Sequence, residues 1–401
     1  MFSSHSQHGL IRSLETAILH IMITSPPDYL LNLHKSMAGG MFAAANPWQE
    51  MLGAMADGDA FSKVQEQGAE HMEQLNAAIA RYSAEPYRRA SEDAEIVWQQ
   101  GSASLLHYGV GNAARALTIF PSLINRHYIH DLSEERSMAH YLAAAGYDVY
   151  LMDWGAPSEA EKGFSLSDYA MQYGTAVLQH VRESHEHIVL AGHCLGGMLA
   201  MASATYAPDL VDGLALLATP WDFCSENAMV PSIMRPYEAQ LRMYINAQPT
   251  FAGEQVLAFF YFKDPMGYQK KLLDFAAAQA TGDDVASFLA LEQWVNDCVD
   301  LTAQVAENCF CDFGLNNIAM QGEWMIDGLP IAPEALEKPV LLAIPERDKI
   351  VPPSSSAPLA KQLPHVDVLS VDAGHVGMIA GSRAEEVLWK TLVEWCDSIF
   401  G

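Results

Sequence analysis

The sequence predicts an α/β fold, a mostly parallel sheet flanked by helices, with an inserted helical cap and an N-terminal helical region. Three observations predict it. Short apolar runs alternate with helix-patterned segments: LTIF from 117, YDVYLMDW from 147, HIVLAG from 187, LALLATP from 214 and PVLLAIP from 339. Strands buried on both faces and joined by crossover helices read this way. Between 222 and 335 the alternation stops, in a helix-rich, aromatic-rich stretch too long for a loop. Before residue 100 the pattern is helical, with Leu14, Ile18 and Ile21 on one face, a Met- and Ala-rich stretch after Met37, and breaks at Pro26-Pro27 and around Gly58. The expected organisation is therefore an N-terminal helical region at 1–100, a first part of the core at 101–221, a helical cap at 222–335, and the rest of the core at 336–401.

Composition narrows the function. A chain of 401 residues, 50% hydrophobic, can bury a large core plus an accessory domain. A formal charge of −27 excludes nucleic acid as a partner, because phosphate binding needs a basic face. An anionic substrate would need a local basic patch acting at close range, since distant charges are screened beyond a Debye length of roughly 10 Å. No apolar run approaches the roughly 20 residues that span a bilayer, and no targeting segment is visible, so a cytoplasmic protein that is not transmembrane is expected. Six cysteines fit neither a disulfide framework nor a zinc site, because Cys309 and Cys311 lack a second ligand pair. No metal or nucleotide motif appears, and a protein without cofactors is expected.

The chemistry centres on GHCLGG after the strand HIVLAG. Cys194 stands between Gly192 and Gly196 and is followed by the helical pattern LGGMLAMASATYA. Strand, sharp turn and helix form a nucleophile elbow, the signature of an α/β-hydrolase fold. The nucleophile occupies a strained backbone conformation, and the flanking positions crowd against strand and helix, hence the glycines. The turn brings the Leu195 N–H and the positive end of the helix to the sulfur, supplying an oxyanion donor and favouring ionisation below the free-thiol value of about 8.5. The blander reading is a structural thiol in a glycine-rich turn; the flanking strand and helix argue against it. His193 reads as a turn-packing residue, since the side chain beside an elbow nucleophile points away from it.

In this fold the chain order is nucleophile, acid, histidine. PVLLAIPERD places Asp348 just past a strand, and VDVLSVDAGH places His375 in a loop past the next. Asp372 is too near His375 in sequence to face its ring. Asp222, after LALLATPW, remains an alternative acid. The second oxyanion donor belongs to the loop after the first core strand, with the backbone N–H near Ile124 as candidate. Asn125, Tyr128 and Asp131 in that loop are read as pinning it by hydrogen bonds.

Four segments in this order, PSLINRHYIHDL, GHCLGG, ALEQWVNDCVDL, and RDKIVPP with AGHVGM, resemble the polyhydroxyalkanoate synthase family, relatives of lipases with cysteine in the lipase-type box. The segments LLATPWDF and QGEWMIDGLPIAPEAL mark a divergent branch. The resemblance implies that Cys194 is acylated by a 3-hydroxyacyl coenzyme A thioester with His375 as base. It implies that Asp348 orients His375 or assists the substrate hydroxyl, and that Leu195 and the Ile124 region supply the oxyanion donors. A polyester chain or granule and a second copy of the chain are the expected partners, the N-terminal helices offering the surface for either. Two other readings remain open: a hydrolase, whether intracellular polyester depolymerase or acyl-CoA thioesterase, and a scaffold that binds a polymer surface through its N-terminal helices.

Overall fold

The computed structural model describes residues 70–400 except 71–72, 83, 85–88, 90–93, 110, 112–113, 226–230, 232–234, 264 and 278–282. The helices expected around Leu14, Ile18, Ile21 and after Met37 lie outside the described residues. The chain forms two compact units: one contains the described residues of 1–88 with 254–292, the other 89–253 with 293–401.

The larger unit is built on an eight-stranded sheet. Its strands are β1 (Glu95–Gln100), β2 (Ala103–Tyr108), β3 (Arg115–Phe120), β4 (Asp148–Asp153), β5 (His187–His193), β6 (Gly213–Leu217), β7 (Val340–Pro345) and β8 (Val366–Val371). They lie in the order β1-β2-β4-β3-β5-β6-β7-β8. β2 runs antiparallel to both β1 and β4, and every other pairing is parallel. β6 is wholly buried and β3, β5 and β7 nearly so, which is why they read as continuous apolar runs.

The apolar runs predict no strand before residue 117, yet β1 and β2 lie there, β1 within the span expected to be helical. β1, EIVWQQ, is a partly exposed edge strand with a register shift between Ile96 and Trp98, which removes the strict alternation of a strand. β2, ASLLHY, spends two of its six positions on Ala and Ser, residues with weak strand preference.

β4 and β5 leave β3 on opposite sides, so the strand order reverses between β3 and β5. A crevice opens at the carboxyl ends of parallel strands at such a switch point. Register pairs Phe120 with Gly192, and Gly192 with Leu216, so the ends of β3, β5 and β6 meet there.

A buried carboxylate supports this edge from behind. Glu161 accepts from the Ser102 N–H at 2.8 Å, the Ser102 hydroxyl at 2.9 Å, the Ser158 N–H and the Tyr173 hydroxyl. The Ser102 hydroxyl lies 2.9 Å from the Trp154 carbonyl, and the Trp154 indole N–H donates to the Pro121 carbonyl at 2.9 Å. That carbonyl lies against Gly196. One carboxylate thus steadies the loop under the elbow.

In the smaller unit, Leu75, Ala78 and Leu272 form a core against which Ile79, Leu273 and Phe288 pack. Phe275 stacks on Phe288 at 4.2 Å, Arg81 lies over Phe275, and Lys271 pairs with buried Glu292. Residues just before the sheet therefore pack with part of the segment inserted between β6 and β7. No helix among the described residues is long and apolar enough to cross a membrane.

Burial of Glu161 opposes its ionisation, but the Tyr173, Ser102 and Ser158 donors outweigh it and pull the carboxyl down to about 2. With the folded value below the ordinary 4.5, its stabilisation is present above pH 4.5 and lost as pH falls towards 2. Glu161→Gln is expected to cost about 1–3 kcal/mol at pH 7 in urea unfolding, leaving four donors sharing a weaker acceptor, and to flatten the acid decline. Equal stability of the two proteins at pH 7 would contradict this.

Candidate active site

Cys194 joins β5 to the helix Leu195–Tyr206 with φ 56° and ψ −124°, a left-handed conformation that costs an L-residue roughly 1–3 kcal/mol. The bend is held on both sides. The Cys194 N–H donates to the Leu217 carbonyl at 2.9 Å, which continues the β5–β6 ladder, and the Gly197 N–H donates to the Cys194 carbonyl at 2.9 Å.

The glycines are there because backbones touch. A methyl on Gly192 would sit 2.5 Å from both the Gly196 carbonyl oxygen and the Gly197 Cα. On Gly196 it would run into the Phe120 and Pro121 carbonyls, and on Gly197 into the Thr219 side chain. Gly196→Ala is therefore expected to destabilise by about 1–3 kcal/mol in chemical unfolding and to displace Cys194, because backbone atoms cannot yield as side chains do. Unchanged unfolding midpoint and activity would refute that packing account.

Asp348 lies just past β7, with its side chain fully buried. One carboxylate oxygen accepts the N–H groups of Ile350 and Val351, both at 2.8 Å, and the other lies 2.6 Å from His375 Nδ1. His375, in the loop after β8, lies close enough to Cys194 for the sulfur's charge to act on its ring. Strand ends β5, β7 and β8 thus bring the three residues to one edge of the sheet. Burial of the His375 ring disfavours its charged form, but the Cys194 sulfur and Asp348 outweigh it and hold His375 up at about 10.

The alternative acids are engaged elsewhere. Asp372 is exposed and paired with Arg347 at 3.1 Å and Arg383 at 3.2 Å. Asp222 accepts from Asn317 Nδ2 and the Cys224 N–H, both at 2.9 Å. Burial pushes the thiols of Cys309 and Cys311 up to about 12 and also raises Cys224 and Cys396, so these are poor nucleophiles at neutral pH.

Leu195 opens the elbow helix, and the N–H groups of a first turn have no intrahelical partner. The Ile124 N–H, by contrast, donates to Ser122 Oγ at 3.2 Å. A serine two residues upstream forms a local side-chain turn, a competitor that strand-end position alone does not reveal. The loop itself is stitched to residues 294–299. Asn125 Nδ2 reaches the Val295 carbonyl at 3.4 Å, the Trp294 indole donates to the Arg126 carbonyl at 2.7 Å, and the Tyr128 hydroxyl meets Asp297 at 3.0 Å. Asp131 accepts from the Tyr108 hydroxyl at 3.1 Å.

His193, read from sequence as turn packing, lies with its ring against that of His375. No sequence signal announces this, because it depends on the course of a loop nearly two hundred residues later.

Residues 116–382 match the family model described as alpha/beta hydrolase fold, and the chain belongs to that family. The Mycobacterium tuberculosis protein Rv0554 shares the fold with a TM-score of 0.50 at 15% identity, over 74% of this chain and 93% of that one. Within the fold the relationship is narrower. The poly(3-hydroxyalkanoate) polymerase subunit PhaC of Haloferax mediterranei is 29% identical over 341 residues, 82% of this chain and 69% of its own. The PhaC of Synechocystis sp. is 30% identical over 285 residues, 68% of this chain and 75% of its own, and that of Allochromatium vinosum is 28% identical over 70% and 79%. The chain belongs to the poly(3-hydroxyalkanoate) polymerase PhaC family.

The His375 value gives a titration test. Because it lies above the ordinary 6.5, the stability His375 contributes is complete below pH 6.5 and is lost as pH rises through about 10. An NMR titration should place the His375 midpoint near 10, and Cys194→Ala should lower it by removing the sulfur's charge. A midpoint unmoved by Cys194→Ala would show that the two side chains do not interact.

Proposed function

We propose that the chain is a polyhydroxyalkanoate synthase-type acyltransferase that moves 3-hydroxyacyl groups from coenzyme A thioesters to a hydroxyl acceptor through a Cys194 acyl-enzyme. The observation that carries this reading is the buried grouping of Cys194, His375 and Asp348, with 2.6 Å between His375 Nδ1 and Asp348 and the Cys194 sulfur acting on the His375 ring. Family membership supplies the substrate class.

In the first step the Cys194 sulfur, its proton held by His375, adds to the thioester carbonyl. The Leu195 N–H and the helix N-terminus stabilise the oxyanion. A donor from Ile124 joins them once Ser122 Oγ releases its N–H. Collapse breaks the bond to the coenzyme A sulfur, which leaves with the proton from His375. In the second step His375 takes the proton of the acceptor hydroxyl, whose oxygen attacks the acyl carbonyl. An ester forms, and the Cys194 sulfur leaves and recovers the proton. Asp348 keeps the imidazole oriented and offsets its charge.

Cysteine suits this sequence of steps. The acyl-enzyme is itself a thioester and stays activated for transfer, whereas a serine would give a less reactive ester. A hydrolase would differ only in letting water replace the hydroxyl.

Incubation with 3-hydroxybutyryl coenzyme A separates the two. Released coenzyme A accompanied by oligomeric or polymeric ester is expected, and free 3-hydroxybutyrate as the sole product would overturn the synthase reading. Cys194→Ala is expected to abolish coenzyme A release, and Asp348→Asn to lower kcat by about 10²–10⁴ with the fold intact.

A further inference from the structure

Three histidine rings, those of His130, His193 and His375, stand in a row that ends at the site. His193 is the last residue of β5 and is 3% exposed; His130, in the loop after β3, is completely buried. The ring centroids of His130 and His193 are 5.5 Å apart in a T-shaped pair, and those of His193 and His375 are 5.0 Å apart with the planes 35° from parallel. The His193 Nε2 and both His130 nitrogens have no hydrogen-bond partner. Burial and the nearby His375 and His130 keep the His193 ring neutral.

His375 has few other restraints. Its loop is tied on either side, with the Arg347 N–H on the Ala373 carbonyl at 3.0 Å and the Met378 N–H on the Gly374 carbonyl at 3.1 Å. The side chain itself is held by Asp348, by Cys194 and by the packing of His193. Acylation removes one of these. A thioester sulfur carries no charge and is a weak acceptor, so the imidazole loses its hold on Cys194 at the step where it must act as base towards the hydroxyl.

We propose that His193 is a positioning residue for His375: fixed to the rigid end of β5, its ring packs against that of the base and keeps the imidazole aimed once the sulfur is acylated. The proposal rests on the acyl-enzyme reading above. It places the contribution of His193 in transfer from the sulfur, not in acylation, where Cys194 itself holds the ring.

The test separates those two rates. The protein is acylated with one equivalent of 3-hydroxybutyryl coenzyme A, formation of the adduct is followed by intact-protein mass, and its decay is followed after a second portion of substrate. Two variants test the packing: His193→Ala removes the ring, while His193→Phe keeps one. In His193→Ala, formation is expected within twofold of the wild type and decay about tenfold slower, the scale of one lost aromatic ring pair. His193→Phe should restore decay to within threefold. If His193→Ala does not fold, His193→Leu takes its place, with slow decay expected again and His193→Phe still restoring it.

Equal decay rates in wild type and His193→Ala would overturn the proposal, as would a matching loss in formation and decay, or a His193→Phe as slow as the variant lacking the ring. An adduct that fails to form on Cys194 in the wild type would instead remove the acyl-enzyme reading and this proposal with it.

Discussion

The structure turns on one unfavourable residue conformation. Cys194 sits at φ 56°, where an L-residue is strained, and only surroundings that leave the chain no alternative can keep it there. Those surroundings are backbone: the β5–β6 ladder bond to Leu217, the close packing of Gly192 on Gly196 and Gly197, and the Phe120 and Pro121 carbonyls against Gly196. Because each contact is with main chain in a buried sheet, the bend is rigid and the sulfur's direction is set before any substrate arrives. That is preorganisation, and the network from Glu161 through Ser102 and Trp154 to Pro121 extends it outwards.

The same logic explains how His375, from the far end of the chain, comes to Cys194. Parallel strands β5, β7 and β8 end at one edge of the sheet, so residues just past them meet in space despite their separation in sequence. Asp348 is then immobilised by two N–H groups on one oxygen, leaving the other for His375. Asp348 is held by its own loop and His375 by Asp348, and the bend supplies the third fixed point.

The central strands and the elbow were legible because their physics is local. A strand buried on both faces must be apolar throughout, as Leu190 and Leu342 are within β5 and β7, and a left-handed residue at the bend needs small neighbours. The place of Asp348 just past a strand was legible too. What sequence did not disclose depends on distant partners or on weak local signals. β1 has an exposed edge and an interrupted register; the Ile124 N–H is taken by Ser122; His193 touches a ring far along the chain. The packing of Leu75 and Ala78 with Leu272 likewise joins segments that composition treats as separate.

The central claim is that this bend makes Cys194 the residue that carries the acyl group. Peptide mapping of protein quenched during turnover of 3-hydroxybutyryl coenzyme A tests it most directly. The account predicts the acyl group on the peptide containing Cys194, lost in Cys194→Ala. An adduct on Cys309 or another residue, or turnover that persists in Cys194→Ala, would contradict it.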